Sequence, residues 1–307
     1  MDGPFGFLVI DKPQCFTSHD CVNRIRKVFR IKRVGHGGTL DPAVTGVLPI
    51  ALGQATRLLP YLPSDKKYTG VIQLGKRTTT DDLEGEIISS EDWPRIEQSS
   101  LEKHLEQFRG PIQQCPPQVS SVHISGERAY QKARRGEQFE LPARAVTIHE
   151  IRILNWNQNT GEIEVNVHCS TGTYIRALAR DLGNSLGCGG CLARLHRTQA
   201  LGFKAEQAIP LPSSSHNDFY DQPSIIEPAI ALSHLPRFQI TKEEDLVFWR
   251  TGRQLTTNAN QIQYTSQTQM SAKKVIVVLD LSENVIGIAS LHEKNVLQPK
   301  VVFNAMG

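Results

Sequence analysis

Gly35-His36-Gly37-Gly38-Thr39-Leu40-Asp41-Pro42 is the stretch on which the reading of this chain turns. Its three glycines permit backbone angles closed to other residues, and Pro42 biases Asp41 away from the helical region. The stretch is therefore a loop that holds one carboxylate at a defined angle. Taken alone, an Asp before Pro is an ordinary turn signal, so the meaning of Asp41 depends on its surroundings.

Upstream, residues 6–10 form a short β-favouring run that stops at Asp11-Lys12-Pro13, because proline continues neither a central strand nor a helix. Thr17 and Asp20 have the spacing of a capping box, and Val22, Ile25, Val28 and Phe29 follow at helical spacing, which predicts a helix to about Phe29. Downstream, residues 44–51 and 68–74 have strand character, and 78–85 form a polar turn region. Residues 101–108 suit an amphipathic helix, 110–118 with three prolines an extended loop, and 174–186 a further helix. Residues 146–156 and 161–169 alternate as two strands around Asn157-Gln158-Asn159-Thr160, which is hairpin chemistry. The proline- and serine-rich stretch 210–223 marks a linker. Beyond it, 273–280 and 285–291 pair as strands and 256–271 is a polar, mobile loop. Strands and helices mix without regular βαβ alternation, which argues for an α+β catalytic domain and a small β-rich C-terminal domain.

A chain of 307 residues has room for about two domains. Its 39% hydrophobic and 21% charged content is that of a globular protein. No apolar run approaches the roughly 20 residues that span a bilayer, and the N-terminus lacks a secretory pattern. Six irregularly placed cysteines do not form a disulfide framework. These features indicate a cytoplasmic protein with reduced thiols. The net charge of +3 permits a polyanionic partner without requiring one. The basic residues are clustered, however, from Arg24 to Arg33, at Lys66-Lys67-Tyr68 and from Lys132 to Arg135. Such clusters suit phosphate contacts, although each alone also fits a solvated face.

Two tempting motifs fail. Gly70 to Lys76 has part of P-loop spacing, but Arg77 stands where a magnesium-binding Ser or Thr belongs. Cys188-Gly189-Gly190-Cys191 with His196 lacks a fourth ligand, since Leu201 occupies its place. Those glycines better serve close backbone approach.

The remaining motifs carry a resemblance. His36 with Gly37-Gly38-Thr39-Leu40-Asp41-Pro42 resembles the signature loop of the TruB family of pseudouridine synthases. Lys12-Pro13 with Thr17-Ser18, Lys67-Tyr68-Thr69-Gly70, the acidic turn from Thr78 to Gly85, Gln114 to Pro117, Gly126 to Gly136, and Ser170 to Arg176 are similar to further family motifs, in the same order over the first two hundred or so residues. The resemblance implies a mixed, largely antiparallel sheet of the pseudouridine synthase type. It gives domains at 1–210 (catalytic), 211–236 (linker) and 237–307 (a small, PUA-like module contacting RNA, or a stabilising cap). It also implies isomerisation of uridine 55 in the T-loop of tRNA, with no cofactor and no metal. The partner would be tRNA, through T-loop and stem, engaged by a monomer that needs no other protein.

By the same resemblance, Asp41 is the essential carboxylate, which either attacks the sugar or abstracts a sugar proton. Arg176 would pair with it, the alternative being a surface arginine on a helix. Tyr68 would stack on the target base unless it is an ordinary strand tyrosine, and Tyr174 and Leu195 would wall the pocket unless they are core. His36 would fill the space left by a flipped-out nucleotide. Lys12 would support the loop or contact a phosphate. The chain departs from the family at Leu195-His196-Arg197-Thr198, where His196 replaces an expected arginine. That would weaken RNA binding or make it pH-dependent. Two competing readings are an RNA-binding protein that has lost the chemistry and a synthase directed to ribosomal RNA by partners.

Overall fold

The computed structural model describes residues 3–124, 126–213, 223–264 and 274–305. The chain opens with β1 (Gly6–Lys12), α1 (Ser18–Phe29), β2 (Val34–His36) and β3 (Thr45–Leu52). A 3-10 helix over Gly53–Tyr61 leads to β4 (Lys66–Leu74), and the small hairpin β5 (Lys76–Thr78) and β6 (Ile87–Ser90) precedes α2 (Gln98–Glu106) and β7 (Gly110–Gln114). Next come β8 (His123–Ile124), β9 (Glu127–Arg128), α3 (Ala129–Arg134) and the long hairpin β10 (Arg144–Asn157) and β11 (Glu162–Cys169). α4 (Ile175–Ser185), β12 (Gly190–Ala200), β13 (Phe203–Lys204) and β14 (Ile209–Pro210) follow.

Ten of these strands make one sheet in the order β14-β1-β3-β12-β4-β11-β10-β7, with β2 added to β3 and β13 to β12. Its ladders are antiparallel except for β1 with β14 and β3 with β12, so the sheet is mixed and largely antiparallel, as expected. Strict alternation in β11 buries Ile163, Val165, Val167 and Cys169 under α2 and α4. β3 is buried on both faces, with Leu48, Ile50 and Leu52 against α1 and Val47 and Ala51 against the opposite core. That explains its unbroken apolar run, because only a strand covered on both sides dispenses with polar alternation. The expected capping box is present, with Thr17 and Asp20 each accepting from the other's backbone N–H at 2.9–3.0 Å.

Three expectations need correction. Residues 110–114 are not loop but the end strand β7, which pairs with β10 alone. Pro111 is tolerated there because an edge strand can forgo one N–H. Residues 256–271 are not wholly loop. Ile262, buried, belongs to the short strand β17 (Ile262–Gln263), while residues 265–273 lie outside those described. Of the stretch read as linker, 214–222 also lie outside the described residues, but from 223 the chain is packed. Ile226 exchanges two backbone hydrogen bonds with Phe7, at 2.8 and 2.9 Å, and Leu232 and Leu235 beside α5 (Pro228–Ala231) are buried.

The C-terminal region holds β15 (Arg237–Gln239), α6 (Glu243–Arg250), β16 (Leu255–Thr256), β17, β18 (Val275–Leu279), β19 (Val285–His292) and β20 (Val296–Val302). Six strands form its sheet, ordered β16-β20-β19-β18-β15-β17. One face buries Trp249 of α6, whose indole N–H donates to the Ile286 carbonyl at 3.1 Å. The other presents Val277, Leu279 and Ile288 to Phe7, Val9 and Leu62, so one apolar core joins the two sheets. Phe303 closes this core with its ring 4.9 Å from that of Phe5. No helix among the described residues is long and apolar enough to cross a membrane.

Candidate active site

The loop from Gly37 to Pro42 is tied down through several of the backbone groups that flank Asp41. Gly37 donates its N–H to the Pro49 carbonyl at 2.8 Å, anchoring the loop to β3. Ser18, buried at the start of α1, grips Leu40 on both sides: its hydroxyl accepts from the Leu40 N–H at 2.9 Å and donates to the Leu40 carbonyl at 3.2 Å. The Pro42 carbonyl accepts from the Lys12 ammonium at 3.2 Å and the Cys15 N–H at 2.9 Å. Arg197 reaches in from β12 and donates to the carbonyls of Gly38 at 3.0 Å, Thr39 at 3.4 Å and Val47 at 2.8 Å. The carboxylate itself remains 46% exposed while its support is buried.

Arg176, in the first turn of α4, meets this carboxylate, with Nη2 3.0 Å from Asp41 Oδ2. The same guanidinium donates to the carbonyls of Thr80 at 2.8 Å and Val119 at 3.0 Å, and its Nε lies 3.5 Å from Asp82. Its direction is therefore fixed by four acceptors from three segments. The acidic turn supplies two of them and also anchors the next turn of α4, through Asp81 and Arg180 at 2.8 Å. Asp81 holds a left-handed φ of 60°, which a polar turn residue accepts. The sequence motifs around Asp41, Thr78 to Gly85 and Arg176 thus meet at one point.

A cavity of about 460 Å³ opens over Asp41, lined by Tyr68, Tyr174, Leu192 and Leu195 on its apolar side. Lys66, Arg128 and Arg134 also line it. Tyr68, on β4, is 6% exposed and stands beside the Arg197 guanidinium. Burial pushes its phenol pKa up, so the hydroxyl stays protonated. Burial also lowers the pKa of Lys66, helped by the neighbouring Arg197 charge. Of the six residues that the resemblance adds to Asp41, four, Tyr68, Tyr174, Arg176 and Leu195, come together here.

The other two do not line the cavity. Lys12 is fully buried, and its ammonium donates to the carbonyls of Pro13 at 2.8 Å, Phe16 at 2.6 Å and Pro42 at 3.2 Å. With its three donors so engaged, it supports the loop and cannot contact a phosphate, which corrects its place among substrate-binding residues. His36 ends β2, and its Nδ1 is buried without a hydrogen-bond partner among the described residues. Burial, followed by the charge of Arg197, lowers its pKa from the ordinary value. His196, the departure from the family pattern, bonds Thr45 Oγ1 through Nδ1 at 2.9 Å, so it braces β12 against β3.

Arg197 was legible only as a basic residue, yet it is fully buried and holds the loop together. Two bulges in β12 break the alternation that would have placed it inward. Other basic residues are likewise engaged: Arg24 donates to the Pro212 carbonyl, Arg26 to the Val34 carbonyl and Arg33 to Thr56. Lys132 and Arg135 pair with Glu137 and Glu127, leaving Arg134 of that cluster at the cavity with its guanidinium over the Tyr130 ring. Of the failed P-loop, residues 70–74 lie in β4 and Lys76 opens β5. Around Cys188 and Cys191, Gly183 and Gly190 bring α4 against β12, where an added Cβ at Gly190 would lie 2.7 Å from the Ala179 carbonyl oxygen.

This arrangement has solved counterparts. The chain superposes on a chain of the crystal structure of a Cbf5-Nop10-Gar1 complex with a TM-score of 0.69 and 25% identity, over 97% of this chain and 84% of that one. The structure of an H/ACA RNP bound to a substrate RNA containing 2'-deoxyuridine gives 0.68 at 23% identity, over 99% and 86%. Fold and site together define a pseudouridine synthase, an enzyme that isomerises uridine in RNA. Residues 26–175 match the model for the TruB family pseudouridylate synthase N-terminal domain. The chain is 55% identical over 321 residues to the tRNA pseudouridine synthase B of Prochlorococcus marinus (strain MIT 9313), and 56% identical over 307 residues to that of Parasynechococcus marenigrum (strain WH8102), with each pair covered in full. The chain belongs to the TruB family.

Proposed function

We propose that this enzyme converts uridine 55 in the T-loop of tRNA to pseudouridine, with Asp41 as the essential carboxylate. The observation that carries the reading is the 3.0 Å ion pair between a half-exposed Asp41 and a buried Arg176 at the cavity wall. Full-length relatives named for tRNA support the substrate class. The reaction breaks the bond from uracil N1 to the sugar, turns the base and joins C5 to the same sugar carbon. The proton lost from C5 is balanced by one gained at N1, so no redox or energy source enters.

A cavity of about 460 Å³ holds one nucleotide and not a folded loop. The target uridine is therefore extruded, at a cost of a few kcal/mol in stacking. Tyr68 and Tyr174 bracket the base, Leu195 closes the apolar wall and Lys66, Arg128 and Arg134 take neighbouring phosphates. His36 occupies the place the nucleotide leaves. Asp41 then attacks the sugar or removes a sugar proton, and either act needs the carboxylate aimed by Arg176. The module at 237–307 extends the RNA contact toward the stem. In this reading the enzyme acts as a monomer without an obligate protein partner, in the cytoplasm.

Mapping pseudouridine in several unmodified tRNA transcripts, with unmodified ribosomal RNA alongside, tests the assignment. Modification at uridine 55 in each is expected. Modification elsewhere, or only in ribosomal RNA, would overturn it.

A further inference from the structure

Away from the cavity, Asp65, His149 and His168 converge on one face at the ends of three adjacent strands. Asp65 precedes β4, His168 lies on β11, and His149 is the extra residue of a bulge in β10, where the partners of Cys169 and His168 are Ile148 and Glu150. Bulges of this kind re-aim a side chain. Both imidazole Nε2 atoms approach the same carboxylate oxygen, His149 at 3.4 Å and His168 at 3.6 Å, and the rings stand 4.7 Å apart. The three ligand atoms all lie within 4.8 Å of one another.

These separations are long for hydrogen bonds, which cluster near 2.9 Å. They match the edge of a coordination tetrahedron instead. Zinc bonds of about 2.0–2.1 Å to nitrogen and oxygen place ligand atoms roughly 3.3–3.4 Å apart. Two imidazoles and one carboxylate are donors that a borderline-soft divalent ion prefers over magnesium or calcium.

We infer that Asp65, His149 and His168 form a zinc-class metal site, with three protein ligands and an open position for water. The ion fastens the start of β4 to the β10–β11 hairpin, one residue before Lys66 of the cavity wall. It takes no part in the isomerisation, since none of the three residues lines the cavity.

The test uses the full chain, stripped with a chelator and titrated with Zn²⁺ against a chromophoric competitor, alongside His149→Gln, His168→Gln and the double variant. One equivalent is expected in the wild type, with affinity at least about tenfold weaker in each single variant and the equivalent lost in the double. Zinc should raise the melting temperature of the wild type and not that of the double variant. Pseudouridine formation by the metal-free variants serves as the check that they are folded. No bound equivalent in the wild type, or one that survives in a folded double variant, would overturn the proposal.

Discussion

Arg176 meets four acceptors because its guanidinium is a planar fork, and no other cation replaces that geometry. Arg176→Lys keeps the charge but cannot span Asp41, Asp82 and the carbonyls of Thr80 and Val119 together. A misaimed Asp41 should lower the rate of pseudouridine formation by about 10²-fold with little change in RNA affinity. Single-turnover rates and filter binding check this. Arg197 acts one step back. Arg197→Met leaves the Gly38, Thr39 and Val47 carbonyls without their donor. The expected cost is about 2–4 kcal/mol in urea unfolding, since each orphaned acceptor costs about 1–3 kcal/mol less what water recovers. His36 gives a pH signature. Its folded pKa lies below the ordinary 6.5, so between the two values the unfolded chain binds the proton more readily. Its contribution is full above pH 6.5 and falls as pH drops below it. His168 is shifted in the same direction, so His36→Gln should reduce the slope of stability between about pH 7 and 5 without removing it. An unchanged slope would contradict that reading.

At the scale of elements, α4 and β12 touch through glycines. An added Cβ at Gly183 would lie 2.2 Å from Gly189 C and Gly190 N, which are backbone atoms and cannot rotate away. Gly183→Ala should therefore cost about 1–3 kcal/mol or more and disturb the helix that carries Arg176, as thermal unfolding and activity would show. Local periodicity made many elements legible in advance. α1 has its capping box and apolar stripe, and the β10–β11 hairpin alternates around a polar turn, so sequence-local forces decide both. β7 and β17 were missed for the opposite reason: short strands with little pattern of their own exist because a partner strand is already there. The site divides the same way. Asp41, Tyr68 and Arg176 sit in recognisable motifs, but the burial of Arg197 depends on carbonyls distant in sequence, and long basic side chains such as those of Lys12 and Arg197 read as exposed.

Across the whole molecule, the two sheets share one apolar core, so the C-terminal region stabilises the catalytic sheet as well as standing beside it. Phe303→Ala removes the ring packed on Phe5 and under the Arg57 guanidinium. It should cost about 3–5 kcal/mol and destabilise both sheets together, giving one unfolding transition by near-UV and far-UV signals alike. RNA affinity should fall with salt, and Arg134→Ala should lower the slope by about one. The central claim concerns one carboxylate. Its most direct test is tritium release from a T-arm RNA labelled at uracil C5, with Asp41→Asn compared against the wild type under single-turnover conditions. Asp41→Asn should bind the RNA within a few-fold of wild type and release tritium at least about 10³-fold more slowly. Release within tenfold of the wild-type rate would show that the chemistry does not depend on Asp41.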